Sequence, residues 1–146
     1  MDLRNDYADK VVVSWENGLL LGDELRDYAI DLLRHIGTKN KVTAVAVASG
    51  YDERLVREKA IILGINDYMG SVWGGFKLPN ELFDYFLPKP LDGEGPETLY
   101  ISSDLSEIQK AASIDNPRMV PVLLGADGHP DYQSAADLRE VIPYIR

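Results

Sequence analysis

Short apolar segments alternate with amphipathic segments along the chain, and this alternation restricts the fold more than any other feature of the sequence. The apolar segments are rich in β-branched residues, which favour strands. We predict five strands, at residues 11–15, 42–48, 68–72, 98–102 and 119–124. The segment 42–48 is apolar on both faces, as a central strand of a parallel sheet must be.

Apolar residues recur at helical spacing between these strands. We predict five helices, at residues 25–36, 53–63, 79–87, 105–113 and 135–142. The spacing of Ser134 and Asp137 resembles a capping box at the start of the last helix. Strands that alternate with helices imply right-handed crossovers and a parallel sheet. The predicted fold class is α/β, with three α/β/α layers and a doubly wound, mostly parallel five-stranded sheet.

The length and composition predict a single domain over residues 1–146. Of the 146 residues, 45% are apolar, which is enough to bury one core. No internal repeat and no linker divides the chain. There are no cysteines and only two histidines, His35 and His129. This excludes disulfides, thiol catalysis, cysteine-ligated metal sites and a three-histidine zinc site.

The charge balance is acidic, with 24 Asp and Glu against 15 Lys and Arg and a net charge of −9. We therefore expect no binding to nucleic acid or to anionic membranes, since both need a basic surface. The apolar segments are far shorter than the roughly 18 residues that a membrane span needs. The first ten residues contain no apolar signal segment, so we expect a cytoplasmic protein.

The ends of the predicted strands are the first place to look for a functional site. In doubly wound folds, ligands bind at the carboxyl ends of the strands, near the point where the strand order reverses. The residues in question are 14–18, 49–51, Lys77, 102–107 and 125–129.

Several of these segments, in this order, resemble the motifs of the haloacid dehalogenase-like (HAD) superfamily. Residues 45–51 resemble the second motif, an apolar strand that ends in Ser or Thr. Residues 77–83 resemble the segment that carries the third-motif lysine, and residues 98–108 resemble the fourth motif. Residues 122–142 resemble the last strand and helix of the family. The resemblance covers residues 10–146.

The resemblance implies the chemistry of phosphoryl transfer. In the family, an aspartate after the first strand attacks phosphorus, and a second acid two residues later transfers the proton. The second-motif hydroxyl and the third-motif lysine hold the phosphoryl oxygens, and acids of the first and fourth motifs bind Mg²⁺. The matching catalytic positions here are Ser14, Glu16, Ser49 and Lys77. The matching metal positions are Glu16, Ser103, Asp104 and Glu107.

Two acids that this mechanism needs are serines in this chain. Ser14 stands at the nucleophile position, and Ser103 stands at the first acid of the fourth motif. A serine hydroxyl forms no acyl-phosphate and brings no carboxylate to Mg²⁺. The resemblance therefore implies a domain that has lost phosphatase catalysis and needs no cofactor. We expect a binding or regulatory module, whose partner is a protein or a phosphorylated ligand.

The spacers between the first three motifs bear on the domain organisation. They are too short to contain an inserted domain. We therefore expect a capless member of the superfamily, with degenerate first and fourth motifs.

Two alternatives stay open. In the first, the chain is an active Mg²⁺-dependent HAD-type phosphatase in which Glu16 is the base or the nucleophile, and Glu107 and Asp104 hold the metal. Asp104 takes a metal position if its loop shifts by one residue, which places Ile108 at the second acid. In the second, the chain is a receiver-like or other α/β binding module, as Lys89-Pro90 suggests. A receiver-type strand order, or a first strand that is not adjacent to strand 98–102, would favour this last alternative.

Overall fold

The structure is a computed structural model that describes residues 10–37, 45–49, 51–69, 72–74, 98–113, 119–125 and 128–145. The strands are β1 (Lys10–Ser14), β2 (Leu20–Leu21), β3 (Glu24–Leu25), β4 (Val45–Ser49), β5 (Val72–Gly74), β6 (Thr98–Ser102), β7 (Met119–Leu124) and β8 (Gln133–Ala135). The α-helices are α1 (Ala29–Gly37), α2 (Glu53–Ile62) and α3 (Leu105–Ala112). A π-helical turn covers Trp15–Leu19, and 3₁₀ turns cover Asn66–Tyr68, Leu138–Glu140 and Ile142–Tyr144.

Six strands form one parallel sheet in the order β5-β4-β1-β6-β7-β8. β2 and β3 form a separate antiparallel hairpin. β1 lies inside the sheet, where Val11 pairs with Val45 on one side and with Leu99 on the other. Val11, Val12 and Val13 are fully buried, as expected for a strand whose two faces are both covered. The predicted α/β class with a doubly wound parallel sheet is confirmed.

In the described part of the chain the sheet has six strands, so the prediction of five strands was wrong. The additional strand is β8, which pairs with the end of β7 from Val122 to Leu124. Its sequence, Gln-Ser-Ala, has no strand propensity of its own. The pairing with β7 holds it in place, and the Gly125 amide extends this pairing by donating to the Ala135 carbonyl at 2.7 Å.

The predicted last helix is also absent, and two 3₁₀ turns take its place. Asp137 is the N-cap of the first turn, because its Oδ1 accepts a hydrogen bond from the Glu140 amide at 3.1 Å. The Glu140 carboxylate in turn accepts from the Ala136 amide at 2.8 Å. The reciprocal cap therefore begins at Asp137 and not at Ser134, which lies in β8. Pro143 then lacks the N–H that a longer helix would need.

Two further predictions concern the middle of the chain. The predicted strand at 68–72 was wrong in position: a 3₁₀ turn ends at Tyr68, and β5 begins at Val72. The predicted helix at 79–87 and the first residues of the segment 42–48 lie outside the described residues.

Within the described part of the chain, no helix has the length and apolar character to cross a bilayer.

The strand order decides against the receiver-like alternative. In a receiver-type sheet, the first strand lies between the second and the third strand. In this sheet, β1 lies between β4 and β6, which are the second and the fourth of its strands in chain order. The first strand is thus adjacent to Thr98–Ser102, and the strand order reverses between β1 and β6.

The core covers both sides of this reversal. α1 contributes Leu32, Leu33 and Ile36, and it contacts the turns at Asn66–Tyr68 and Leu138–Glu140. α2 packs against β5, and α3 packs against β6 and β7. This packing fixes the carboxyl ends of β1 and β6 side by side.

Candidate functional site

The candidate site lies where β1 and β6 end, at the reversal of the strand order. The chain leaves β1 through the π-helical turn Trp15–Leu19 and leaves β6 through a short loop into α3. The Ser103 amide donates a hydrogen bond to the Asn17 carbonyl at 2.7 Å and so joins the turn to the loop. Ligands of doubly wound sheets bind at such a point.

Gly18 allows the π-helical turn to lie close to the sheet. A Cβ atom at this position would lie 2.6 Å from Cγ1 of Val13 and 3.2 Å from the carbonyl oxygen of Ile101. Such short contacts would force β1 or β6 to move. The missing side chain therefore holds Glu16 and Asn17 at the edge of the sheet.

Glu107, in the first turn of α3, is the centre of a hydrogen-bond network that we call the Glu107 cluster. Its Oε1 accepts from the Ser14 hydroxyl and from the Tyr100 hydroxyl, both at 3.1 Å. Its Oε2 accepts from Ser102 Oγ at 2.7 Å and from Asn17 Nδ2 at 2.7 Å. Ser14 Oγ also lies 3.4 Å from Oε2. Four uncharged donors thus surround this carboxylate.

The start of α3 orients Glu107 toward these donors. Asp104 is the N-cap of the helix, and its Oδ1 accepts from the Ser106 amide at 2.8 Å. Ser102 Oγ accepts from the Asp104 amide at 3.1 Å while it donates to Glu107. The negative charge of Glu107 is favourable here, because it lies near the positive end of the helix dipole.

Tyr100 acts in this cluster as a neutral donor. Burial is the main cause that raises the pKa of the Tyr100 hydroxyl, and the adjacent negative charge of Glu107 raises it further. The side chain is 1% exposed. Tyr100 therefore keeps its proton and directs it at Glu107 throughout the neutral pH range.

Arg26, which follows β3, brings a positive charge to the same edge. Its Nη2 donates to Ser103 Oγ at 3.3 Å and lies 3.5 Å from the Leu20 carbonyl oxygen. Its Nε is buried and has no hydrogen-bond partner among the residues that the structure describes. Burial lowers the pKa of this guanidinium, although Arg stays charged at neutral pH.

An open cleft of about 580 Å³ lies on the other side of the π-helical turn, between this turn and α2. Its walls combine acidic, basic and apolar side chains. They include Trp15, Glu16, Asn17, Asp23, Tyr51, Leu55 and Lys59. Asn17 belongs to both places, because its side chain also donates to Glu107.

Solved structures that resemble this chain include three HAD hydrolases. A HAD-superfamily hydrolase from Ehrlichia chaffeensis matches with a TM-score of 0.60 and 18% identity, over 90% of this chain and 61% of the hydrolase. The magnesium-bound HAD-hydrolase YfnB from Bacillus subtilis matches with a TM-score of 0.61 and 18% identity, over 82% of this chain and 54% of YfnB. A haloacid dehalogenase-like family hydrolase from Streptococcus pneumoniae matches with a TM-score of 0.58 and 14% identity, over 83% and 60%.

The chain has a HAD-like fold. It spans 61%, 54% and 60% of the length of these three hydrolases. No protein-family model matches the sequence, and a search of the curated proteins found no match. The HAD-like fold thus rests on the architecture, and the activity has to be argued from the side chains of the site.

The structure brings some of the predicted HAD-like site residues together and leaves others apart. Ser14 and Glu107 are in direct contact, and Ser103 lies beside them in the loop after β6. Glu16 lines the cleft, and its charge also acts on Tyr100 in the Glu107 cluster. The backbone of Ser49 ends β4, next to β1. Lys77 lies outside the described residues.

The donors of the HAD-like site do not fit Mg²⁺ as they are arranged. Ser103 offers a neutral hydroxyl, Asp104 caps α3, and both oxygens of Glu107 accept hydrogen bonds. The positive charge of Arg26 beside Ser103 opposes the approach of a cation. Among the residues that the structure describes, no three His, Cys, Asp or Glu side chains are grouped so that they could hold a metal ion.

The sequence reasoning missed Tyr100 and Arg26, and it included Ser102 in the segment 102–107 without giving it a role. Tyr100 and Ser102 are two positions apart in β6, so the strand period places them on one face. A helix that begins directly after β6 returns Glu107 to that face, and this signal was available in the sequence. Arg26 carries no such signal, because only the tertiary structure brings β3 close to Ser103.

Proposed function

We propose that this HAD-like chain is a binding or regulatory module that has lost phosphatase catalysis. The observation that carries the proposal is the Glu107 cluster. In it, the one fourth-motif acid that the chain retains accepts hydrogen bonds from four uncharged donors. The carboxylate that would bind Mg²⁺ in the family is thus engaged in holding the loops of the site together.

The position of the nucleophile supports the same proposal. Ser14 is fully buried and donates its hydroxyl proton to Glu107. A serine nucleophile usually depends on an imidazole base. The two histidines are engaged elsewhere, since His35 contacts the Ile145 carbonyl and His129 stacks on Tyr132. Ser14 therefore stabilises the edge of the sheet and does not attack a substrate.

The open cleft beside Glu16 is the proposed binding surface. Its volume of about 580 Å³ is in the range of small-molecule sites. The exposed side chains of Tyr51 and Leu55 offer apolar contacts on its α2 wall. In a single domain without a cap, as we propose for this chain, this cleft is open to a protein partner or to a phosphorylated ligand.

One observation favours the alternative of an active enzyme. Glu16 occupies the position of the general acid in the family and lines the open cleft. In this alternative, Glu16 activates a water molecule or attacks the substrate itself. Both versions need a bound Mg²⁺ ion to activate the phosphoryl group. The side chains around Glu107 and Asp104 are poorly arranged to hold this ion.

Hydrolysis of an aryl phosphate in the presence of Mg²⁺ tests the proposal. We would compare the wild type with Ser14→Ala, Glu16→Gln and the double variant Ser14→Asp/Ser103→Asp. The expected result is no turnover in the wild type and no Mg²⁺ uptake in calorimetry, with turnover restored in the double variant. Wild-type turnover that disappears in Glu16→Gln would overturn the proposal and establish the alternative.

A further inference from the structure

Arg26 is held in a fixed position at the edge of the sheet. Its amide donates to the Leu19 carbonyl at 2.8 Å, and its carbonyl accepts from the Ala29 amide at 3.1 Å. These bonds tie its backbone to the π-helical turn on one side and to the start of α1 on the other. The side chain then reaches the Ser103 hydroxyl, where Nη2 donates at 3.3 Å.

The guanidinium has no counter-charge in this position. Although the chain carries a net charge of −9, no carboxylate of the described residues forms an ion pair with Arg26. Both acceptors that it reaches, Leu20 O and Ser103 Oγ, are neutral and lie at long distances. Within the described residues, the buried Nε also lacks a hydrogen-bond partner. A half-buried cation with unused donors is unfavourable unless an anion completes it.

Ser103 is suited to take part in binding such an anion. Its Oγ accepts from Arg26, so the hydroxyl proton remains available to a ligand. Its amide donates to the Asn17 carbonyl, which fixes the loop. A guanidinium and a hydroxyl that lie 3.3 Å apart can both donate to the same oxyanion, because Arg presents its N–H groups as a planar fork.

We propose that Arg26 and Ser103 form an oxyanion site that works without a divalent cation. The inference rests on the proposed function. In this site, the guanidinium of Arg26 supplies the positive charge that Mg²⁺ supplies in magnesium-dependent phosphatases. The ligand is an oxyanion, and phosphate and carboxylate groups share this chemistry. The site lies beside the Glu107 cluster and is separate from the cleft that Glu16 lines.

Titration calorimetry in the presence of EDTA tests the site. Inorganic phosphate and acetate are titrated separately into the wild type, Arg26→Gln, Ser103→Ala and the control Arg54→Gln. Arg54 is a suitable control, since it is an exposed arginine on α2 whose nearest ion-pair partner is Glu58 at 3.9 Å. We expect at least one of the two anions to bind the wild type. The anion that binds more tightly shows whether the site takes a phosphate group or a carboxylate group.

The variants separate a binding role of Arg26 from a structural role. Arg26→Gln is expected to weaken binding at least tenfold, and Ser103→Ala, which keeps the guanidinium, about threefold or more. Arg54→Gln should bind like the wild type. Circular dichroism checks the fold, and if Arg26→Gln fails to fold, Ser103→Ala decides the matter.

Three results would overturn the oxyanion site: no binding of either anion by the wild type, binding that needs Mg²⁺, or unchanged affinity in the folded variants. The hydrolysis assay with Mg²⁺ is independent of this titration. Wild-type turnover would overturn the proposed function, whereas a failed titration in EDTA would overturn the oxyanion site alone.

Discussion

The Ser14 hydroxyl donates a hydrogen bond to Oε1 of Glu107 across 3.1 Å, and the two residues are 93 positions apart in the chain. Ser14 ends the central strand β1, and Glu107 lies in the helix that follows the adjacent strand β6. An aspartate at position 14 would place a second negative charge next to Glu107, whereas the serine hydroxyl donates a hydrogen bond to the carboxylate. A serine in place of the first-motif aspartate is therefore compatible with the carboxylate of Glu107, which remains in the fourth motif.

Replacing Glu107 with glutamine is expected to destabilise the protein. The amide nitrogen of Gln is a donor, so it would face the hydroxyl and amide donors that now bind the carboxylate. We expect the free energy of unfolding to fall by about 2–3 kcal/mol. Urea denaturation followed by circular dichroism measures this change.

The matched control for this change is Glu58→Gln on α2. Glu58 is exposed and lies 3.9 Å from Arg54, so its replacement should change stability by less than about 0.5 kcal/mol. Equal losses of stability in the two variants would mean that the Glu107 cluster contributes no more to stability than the exposed carboxylate of Glu58.

Tyr100→Phe is expected to reduce the alkaline sensitivity of the protein. The pKa of Tyr100 is raised, first by burial and then by Glu107. Above the ordinary tyrosine pKa of about 10, the unfolded chain loses this proton while the folded chain keeps it. Wild-type stability should therefore fall as the pH rises above 10, by up to about 1.4 kcal/mol per pH unit from this group.

At neutral pH the same variant should be less stable than the wild type by about 1–2 kcal/mol, since one hydrogen bond to a carboxylate is lost. Urea denaturation between pH 7 and pH 11 should show this difference becoming smaller above pH 10. Tyr68→Phe is the control, because Tyr68 is 37% exposed. A constant difference across the pH range would contradict the raised pKa of Tyr100.

Gly18→Ala should destabilise the π-helical turn through a steric conflict. Its Cβ would lie 2.6 Å from Cγ1 of Val13, a stiff β-branched side chain that is fully buried. We expect a loss of about 1–3 kcal/mol in the free energy of unfolding. Gly22→Asn is the control, since Gly22 has a φ of +67° with open space around it, and Asn accepts that conformation. Similar losses in both variants would show that the contact with Val13 is not the cause.

Replacements of Asp104 distinguish a helix cap from a metal ligand. Asp104→Ala removes the acceptor for the Ser106 amide and should lower stability by about 0.5–2 kcal/mol. Asp104→Asn keeps an acceptor oxygen, so it should stay close to the wild type in thermal denaturation. If Asp104 were a metal ligand, Mg²⁺ would stabilise the wild type but not the Asn variant.

The sequence was sufficient for the fold class and for the location of the candidate site. Val11, Val12 and Val13 form an apolar strand that only a sheet covered on both faces can bury. The polar residues after it could be assigned to the carboxyl edge for the same reason. Ser14, Ser103 and Glu107 could each be identified from the motif that they resemble.

The remaining features depend on tertiary contacts that no local pattern encodes. Gln133–Ala135 becomes a strand because β7 offers it an open edge, and its own propensity indicates nothing of the kind. The hydrogen bond from Tyr100 to Glu107 requires the turn of the chain between β6 and α3. Arg26 reaches Ser103 across 77 positions of sequence, through a hairpin whose strands have two residues each.

The central position of β1 has a consequence for the synthesis of this protein. β1 leaves the ribosome before β6, because Val11 pairs with Leu99, which follows roughly ninety residues and several seconds later at about 5–20 residues per second. During that time one edge of this valine-rich strand has no partner, and such an edge promotes aggregation. The strand that supports the site is thus also the strand that the nascent chain must protect for the longest time.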